Sequence, residues 1–307
     1  MENNIHKISL IICTYNRDRY LPEALESIKR QTINSSEFQV IIVDNFSTDN
    51  TAAISQKFIK ENPSINIKYC FEENKGLSFA RNRGIKEAES PIISYVDDDA
   101  ILSPNFLEEM LMFFNKYTDA VGAGGKVIPK YEDGKEPEWM NKFLYGFVGK
   151  LDYGSDILQF NENMKYPAGC NMTYKKEILK KAGGFNNVLK FRSDDKYIFH
   201  KVKLISDKIY YVPNAWLFHY IDNYRLQLRN FKTLFLKTGN EEKKRLLSEK
   251  NIPGLIKKFF EFILKAGASL ILFLLFLLKG QYAKGKYIVI SQWYTLTGFL
   301  KKDVFVR

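Results

Sequence analysis

The sequence predicts an α/β protein with a mostly parallel sheet flanked by helices, followed by a helical, apolar C-terminal extension. Three observations carry this. Four short apolar runs alternate with helical stretches in the first hundred residues. These runs are apolar on both faces, as strands covered on two sides require. From Tyr224 onward the chain is helical, basic and finally very apolar. The boundary falls near residue 222, giving a domain over 1–222 and an extension over 223–307.

Taken in order, residues 8–13 (ISLIIC) read as the first strand, 14–19 as a loop, and 21–31 as a helix. Residues 39–43 (QVIIV) form the next strand, and 48–61 the next helix, with Ser47 or Asp49 as N-cap. A third strand covers 65–71 and a helix 77–88. A fourth strand, 91–96 (PIISYV), runs directly into Asp97, Asp98 and Asp99. In parallel sheets of this type ligands bind at the carboxyl ends of the strands. The loops 14–19, 44–49 and 97–99 therefore share one rim. After Ala100 the rhythm breaks down. A strand with a glycine kink is expected over 119–128, a loop-rich aromatic insertion over 131–154, and an apolar turn over 168–174. Helices follow over 175–181 and 194–205, separated by a Gly183-Gly184-Phe185 stop, and then a strand over 208–212.

Charge is distributed unevenly. The 307 residues carry 46 Lys and Arg against 35 Asp and Glu, but from Arg225 to the end there are 17 basic and 5 acidic residues. A near-neutral body with a basic tail excludes a domain wrapped in nucleic acid and points the tail toward something anionic. Cys13, Cys70 and Cys170 form no CxxC pair or disulfide framework and read as reduced structural thiols. Glu2 stands where a signal peptide carries basic residues, so a cytoplasmic body is expected.

Three consecutive acids at a strand end are unfavourable together unless something neutralises them. A divalent cation that bridges a diphosphate does so, since Mg²⁺ takes one or two carboxylates plus phosphates. A solvated acidic turn is the plain alternative. Two further rim loops favour the metal. Thr14-Tyr15-Asn16-Arg17 offers a phenol, an amide and a cation, and Asp44-Asn45 can read a base or ribose edge. Residues 76–84 (GLSFARNRG) add Arg81 and Arg83, cations suited to phosphates. Trp139 and Tyr145 in the insertion could stack on a sugar or simply pack as a covering loop.

The ordered series CTYNR, VIIVDNFSTDNT, NKGLSFARNRG, YVDDDA, AGCNMTYKKEILKKAGGF, SDDKYIFHKV and YYVPNAWLFH, over roughly residues 7–220, resembles glycosyltransferase family 2. That resemblance implies the GT-A fold and transfer of a sugar, with inversion, from a nucleotide-diphosphate sugar to an acceptor. It further implies that Thr14, Tyr15, Asn16, Arg17, Asp44 and Asn45 bind the nucleoside and that Arg81 approaches the phosphates. Asp97, Asp98 and Asp99 would be the DXD segment, with Asp99 and Asp97 as ligands of Mn²⁺ or Mg²⁺ and His219 beside the metal. Asp194-Asp195 resembles the family's Glu-Asp pair, with Asp195 the general base and Asp194 the acceptor-side acid. The sequence departs from the pattern in the shortened first acid, in Ser193 before it, and in Asn45 where Asp is more usual.

The tail completes the reading. Residues 266–278 (AGASLILFLLFLL) form an apolar run bordered by Lys265 and Lys279, shorter than the roughly 18–20 residues of a membrane span. A second apolar piece, 287–300, carries Trp293 and Tyr294. One or two helices lying in or dipping into the inner leaflet are expected, which places the protein at the cytoplasmic face of the cell membrane. A buried helical hairpin is the alternative. A glycan or lipid-linked acceptor suits that location. A catalytically silent nucleotide-sugar-binding or membrane scaffold module with the same fold is the competing function, and nucleic acid is not an expected partner.

Overall fold

A computed structural model describes residues 6–301; Glu2, read against a signal peptide, and the last six residues of the tail lie outside them. The chain divides into two compact units. The first comprises the described residues within Met1–Pro129, Gly149–Lys190 and Asp194–Tyr220, and the second those within Lys130–Val148, Phe191–Ser193 and Ile221–Arg307.

The first unit is built on a nine-stranded sheet. Strands β1 (Ile8–Thr14), β2 (Phe38–Asp44), β3 (Asn66–Phe71) and β4 (Ile92–Asp97) pair in parallel in the order β3-β2-β1-β4. Ile8, Leu10, Ile11 and Ile12 are fully buried and β2 is buried throughout, which is what two covered faces demand. Each such aliphatic side chain contributes about 1.5–3 kcal/mol by leaving water. β3 is the edge strand, and its half-exposed face with Lys68 suits an edge that must not recruit another strand.

Helix α1 (Leu21–Lys29) shows why the sequence pattern works. Leu21, Ala24, Leu25 and Ile28 recur at helical spacing and all face the core, with Pro22 in the first turn. It ends two residues before the expected Gln31, whose side-chain amide instead donates to the Ser27 and Ser103 carbonyls at 3.2 and 2.8 Å. Helix α2 (Thr51–Glu61) starts three residues later than expected, because Asp44 and Asp49 hold residues 47 and 51 in turns by accepting their N–H groups. Helix α3 (Leu77–Glu87) ends one residue before the expected Ala88, which is its C-cap.

Beyond Ala100 the sheet continues with β5 (Ala100–Leu102), β6 (Gly122–Tyr131), β7 (Leu158–Gln159), β8 (Met172–Lys175) and β9 (Ile209–Ile221). These account for its antiparallel pairings, β4–β8, β8–β6, β5–β9 and β7–β9. The α/β class holds, but the parallel order is confined to the four strands with the βα rhythm. Helix α4 (Phe106–Lys116) was concealed by the break in that rhythm, although Phe106, Met110, Phe113 and Phe114 mark its buried face. The expected strand over 208–212 extends to Ile221. In β6 the glycines serve close approach: a Cβ on Gly125 would lie 1.7 Å from the Ala215 carbonyl oxygen. Helices α5 (Lys176–Lys181) and α6 (Asp194–Lys203) complete this unit.

The second unit contains α7 (Asn223–Leu226), α8 (Leu228–Ser248), α9 (Ile252–Leu278) and α10 (Tyr282–Leu300). Helices α8 and α10 meet backbone to backbone. A Cβ on Gly239 would lie 2.0 Å from the Thr295 carbonyl oxygen, and one on Gly298 would lie 2.1 Å from that of Leu236. Trp139 stacks on Tyr287 at 4.3 Å and 4° and meets Phe231 edge-on, so it packs within this unit. Helix α9 is 27 residues long: it carries the apolar run 266–278 at its end and begins well before it, with Lys265, Glu261 and Lys258 pairing with one another along the way. It is long and apolar enough to cross a membrane, with a mean hydropathy of 2.2 over its most apolar window. It buries only Phe262 and Ser269 and leaves Leu264, Leu270, Ile271 and Leu274 more than half exposed.

Candidate active site

Register brings the strand ends level. Thr14 of β1 pairs with Asp44 of β2, and Cys13 pairs with Asp97 of β4. The parallel strands thus deliver Thr14, Asp44 and Asp97 to one carboxyl rim.

From Asp97 the chain turns through Asp98 and Asp99 into β5. The Asp99 carbonyl accepts the Tyr220 N–H at 2.9 Å, and Ala100 stands opposite His219 in the β5–β9 ladder. That ladder sets the nearly buried His219 imidazole beside the turn, with Nε2 3.3 Å from Asp99 Oδ1. Gly149, at φ +71°, lies against the other side of the ring, where a Cβ would come within 3.0 Å of Nδ1. Asp97, Asp99 and His219 each present a ligand atom within 4.8 Å of the others.

The electrostatics of this corner favour a cation. Asp98 and Asp99 are buried, while Asp97 is partly open. Burial, with repulsion from Asp99 and Asp97, pushes the Asp98 carboxyl up to about 8 against the pull of Arg17. Burial, then Asp99 and Asp194, also raises Asp97 against Arg81 and His219. Arg17 stands 3.6 Å from both Asp98 and Asp99 and is itself part-exposed. Two carboxylates and an imidazole fit a divalent cation such as Mn²⁺ or Mg²⁺ in kind and spacing.

Behind Asp97 lies a second charged cluster. The Arg81 guanidinium is almost fully buried between Tyr95 and Phe185, paired with Asp194 and 3.6 Å from Asp97. It also donates to the Gly169 carbonyl at 3.1 Å. Burial disfavours its charge, but Asp194 and then Asp97 outweigh that and hold it more firmly cationic than usual. Arg81 therefore ties β4, the 169 turn and the first turn of α6 together. Asp194 is buried in that pair, whereas the neighbouring Asp195 is part-exposed. A Cβ on Gly169 would sit 2.8 Å from an Arg81 terminal nitrogen and 3.4 Å from Asp195 Oδ2, so the turn runs close against both side chains. Cys13 borders the same cluster, and burial pushes its thiol far above the usual range, so it is an inert thiol.

The β2 end is organised differently. Asp44 accepts the Ser47 N–H at 2.8 Å and the Tyr69 hydroxyl at 2.7 Å. Asn45 accepts the Gly76 N–H and donates to the Asn74 carbonyl, both at 2.7 Å. An aspartate could not make that donation, which gives the asparagine a reason of its own. Asn16, at φ +52°, accepts the Thr48 N–H at 2.7 Å and donates its N–H to Ser47 at 2.9 Å, while Tyr15 is half-exposed. The structure thus gathers Arg17, Asp97, Asp98, Asp99 and His219 in one corner and Arg81, Asp194 and Asp195 beside it. Thr14, Tyr15, Asn16, Asp44 and Asn45 stand along the adjoining rim. Sequence reasoning missed the supporting roles of Tyr69 and Gly149 and left Gly169 undefined. A glycine shows what it leaves room for only once its neighbours are placed.

Comparison with known proteins places this rim in context. A family model described as Glycosyl transferase family 2 matches residues 9–183. The chain is 25% identical over 230 residues to the glucosyl-dolichyl phosphate glucuronosyltransferase of Haloferax volcanii, covering 72% of this chain and 71% of that protein. Its fold is shared with the mannosyltransferase PcManGT from Pyrobaculum calidifontis in complex with GDP-Man and Mn²⁺, at a TM-score of 0.63 and 15% identity over 94% of this chain and 87% of that one. It is also shared with residues 1–349 of Staphylococcus aureus TarS in complex with UDP-GlcNAc, at a TM-score of 0.54 and 17% identity over 98% and 95% of the two chains. Other relatives are longer proteins, of which the chain spans from 13% to 52%.

Proposed function

This chain belongs to glycosyl transferase family 2, and from that premise we propose that it is an inverting, metal-dependent enzyme acting on a nucleotide-diphosphate sugar. The observation that carries the reading is the Asp97–Asp99–His219 cluster on the carboxyl rim, with Asp99 and His219 buried and its acids mutually repelling. Asp97, Asp99 and His219 would hold Mn²⁺ or Mg²⁺, which when bound supplies positive charge against a leaving diphosphate. The Mn²⁺ and GDP-Man bound by PcManGT and the UDP-GlcNAc bound by TarS support that choice of ligands.

Asp195 is the general base. It takes the acceptor hydroxyl proton as the acceptor oxygen bonds the anomeric carbon and the bond from that carbon to the diphosphate breaks. Attack opposite the leaving group inverts the configuration, with no covalent enzyme intermediate. Asp194 and Arg81 act as a positioning pair rather than as substrate ligands, since each is buried against the other. Thr14, Tyr15, Asn16 and Asp44 line the nucleoside side, and Arg17 neutralises the buried acids.

The acceptor is a glycan or lipid-linked glycan at the membrane surface. The apolar face of α9 and the basic tail support that location, as does a relative named for glucosyl-dolichyl phosphate. The test is a panel of UDP-, GDP-, CDP- and dTDP-sugars, with and without Mn²⁺, monitored by proton NMR at the anomeric centre. Transfer or slow hydrolysis that needs the metal and yields the opposite anomer supports the reading. Metal-independent turnover, or retention, contradicts it.

A further inference from the structure

The turn that follows β2 contains a conformation its residue does not favour. Phe46 has φ +72°, a left-handed backbone that is a genuine outlier for a bulky side chain. The turn imposes it: Asp44 accepts the Ser47 N–H across Phe46, and Asn16 is fastened to both Ser47 and Thr48. Glycine would adopt the same backbone without strain. Such strain survives where the side chain serves a purpose, and core packing is not that purpose here. The Phe46 ring is 37% exposed, and its tilted neighbour Phe71, 5.6 Å away at the end of β3, is 45% exposed. The exposed Lys75 places its ammonium 4.5 Å from the Phe46 centroid.

We propose that Phe46 and Phe71 form an aromatic ledge on which the base of the nucleotide donor stacks, with Lys75 as the adjoining cation for an exocyclic carbonyl oxygen. The proposal rests on the donor-binding reading above. The ledge stands on the rim that carries the acid cluster. Strands lie about 4.8 Å apart, which puts the β2 and β3 ends about 10 and 14 Å from the end of β4. A ribose and two phosphates bridge such a separation. Aromatic faces bind any base by stacking, and a lysine, having only donors, favours bases that carry carbonyl oxygens. The ledge therefore selects uracil, thymine, cytosine or guanine over adenine.

Calorimetry on the full chain tests this with UDP, GDP, ADP and, as a base-free probe, pyrophosphate, each with Mn²⁺. In Phe46→Gly the favoured nucleoside diphosphate should bind about tenfold more weakly. Pyrophosphate affinity should be unchanged and the melting temperature unchanged or raised, while Phe46→Tyr should restore nucleotide affinity. Native nucleotide affinity in Phe46→Gly overturns the proposal, as does an equal loss of pyrophosphate affinity, which would make the ledge a support of the metal corner. If the native chain binds pyrophosphate with Mn²⁺ but gains nothing from a base, the ledge fails and the metal reading stands. If it binds none of the four, the donor reading falls as well.

Discussion

The ends of β2 and β4 lie two strands apart on one rim, carry similar polar residues, and are built to opposite plans. At the β2 end Asp44 and Asn45 are matched by partners from the chain: Ser47, Tyr69, Gly76 and Asn74. At the β4 end three carboxylates crowd against Arg17, Arg81 and His219, and burial with mutual repulsion raises Asp97 and Asp98. The first arrangement matches its polar groups with hydrogen bonds from nearby turns, whereas the second sets like charges side by side. Polar residues on the rim are thus of two kinds, those tied down by nearby turns and those that crowd like charge together, and the difference lies in their surroundings rather than their type.

Predictions that sharpen this contrast differ in size and in readout. The largest effect belongs to the base: Asp195→Asn should lower transfer by about 10²–10⁴-fold while leaving Mn²⁺-dependent donor binding near native, as single-turnover rates beside calorimetry would reveal. If Asp194→Asn instead stops turnover with a native fold and Asp195→Asn does not, the two roles are exchanged. At the β2 end the loss should appear as stability. Asn45→Asp sets a carboxylate oxygen against the Asn74 carbonyl and should cost about 1–3 kcal/mol in urea denaturation, with pyrophosphate and Mn²⁺ affinity retained. Weakened metal binding with native stability would break the contrast.

Legibility followed the same division. The first four strands and their helices could be read because each carries its own periodicity, as in Leu21, Ala24, Leu25 and Ile28, and β4 ends in acids that announce themselves. Helix α4 has an equally clear face, yet no strand–helix alternation frames it. Thr14, Asp44 and Asp97 were legible as neighbours because parallel strand ends share a rim. Contacts within the site were not: the Arg81 guanidinium is buried on Asp194, and the Asn45 amide fastens residues 74–76. Spacing gives proximity along a chain, whereas partnership depends on residues 29 to 113 positions away.

The tail illustrates the limit again. Its basic, apolar character was plain, but its partner within the second unit was not: Met140, Leu144, Phe147 and Val148 of the aromatic insertion form one cluster with Phe231 and Ile288. Cutting the chain at Tyr224 would uncover that cluster, so substitutions on the open face of α9 are the cleaner probe. Leu270 and Leu274, both more than half exposed, lie one helical turn apart. Replacing both by Glu should abolish flotation with anionic liposomes while leaving the melting temperature within a few degrees of native. Flotation that persists would remove α9 from the membrane contact.

The central claim, that the crowded β4 end holds the metal and through it the donor diphosphate, has one direct test: calorimetric titration of the favoured nucleoside diphosphate with and without Mn²⁺ into the native chain and Asp99→Asn. The account predicts tight binding to the native chain only with Mn²⁺, and a metal-dependent gain cut by about 10²-fold or more in Asp99→Asn with its melting temperature preserved. Equal, metal-dependent affinity in the two proteins would contradict it.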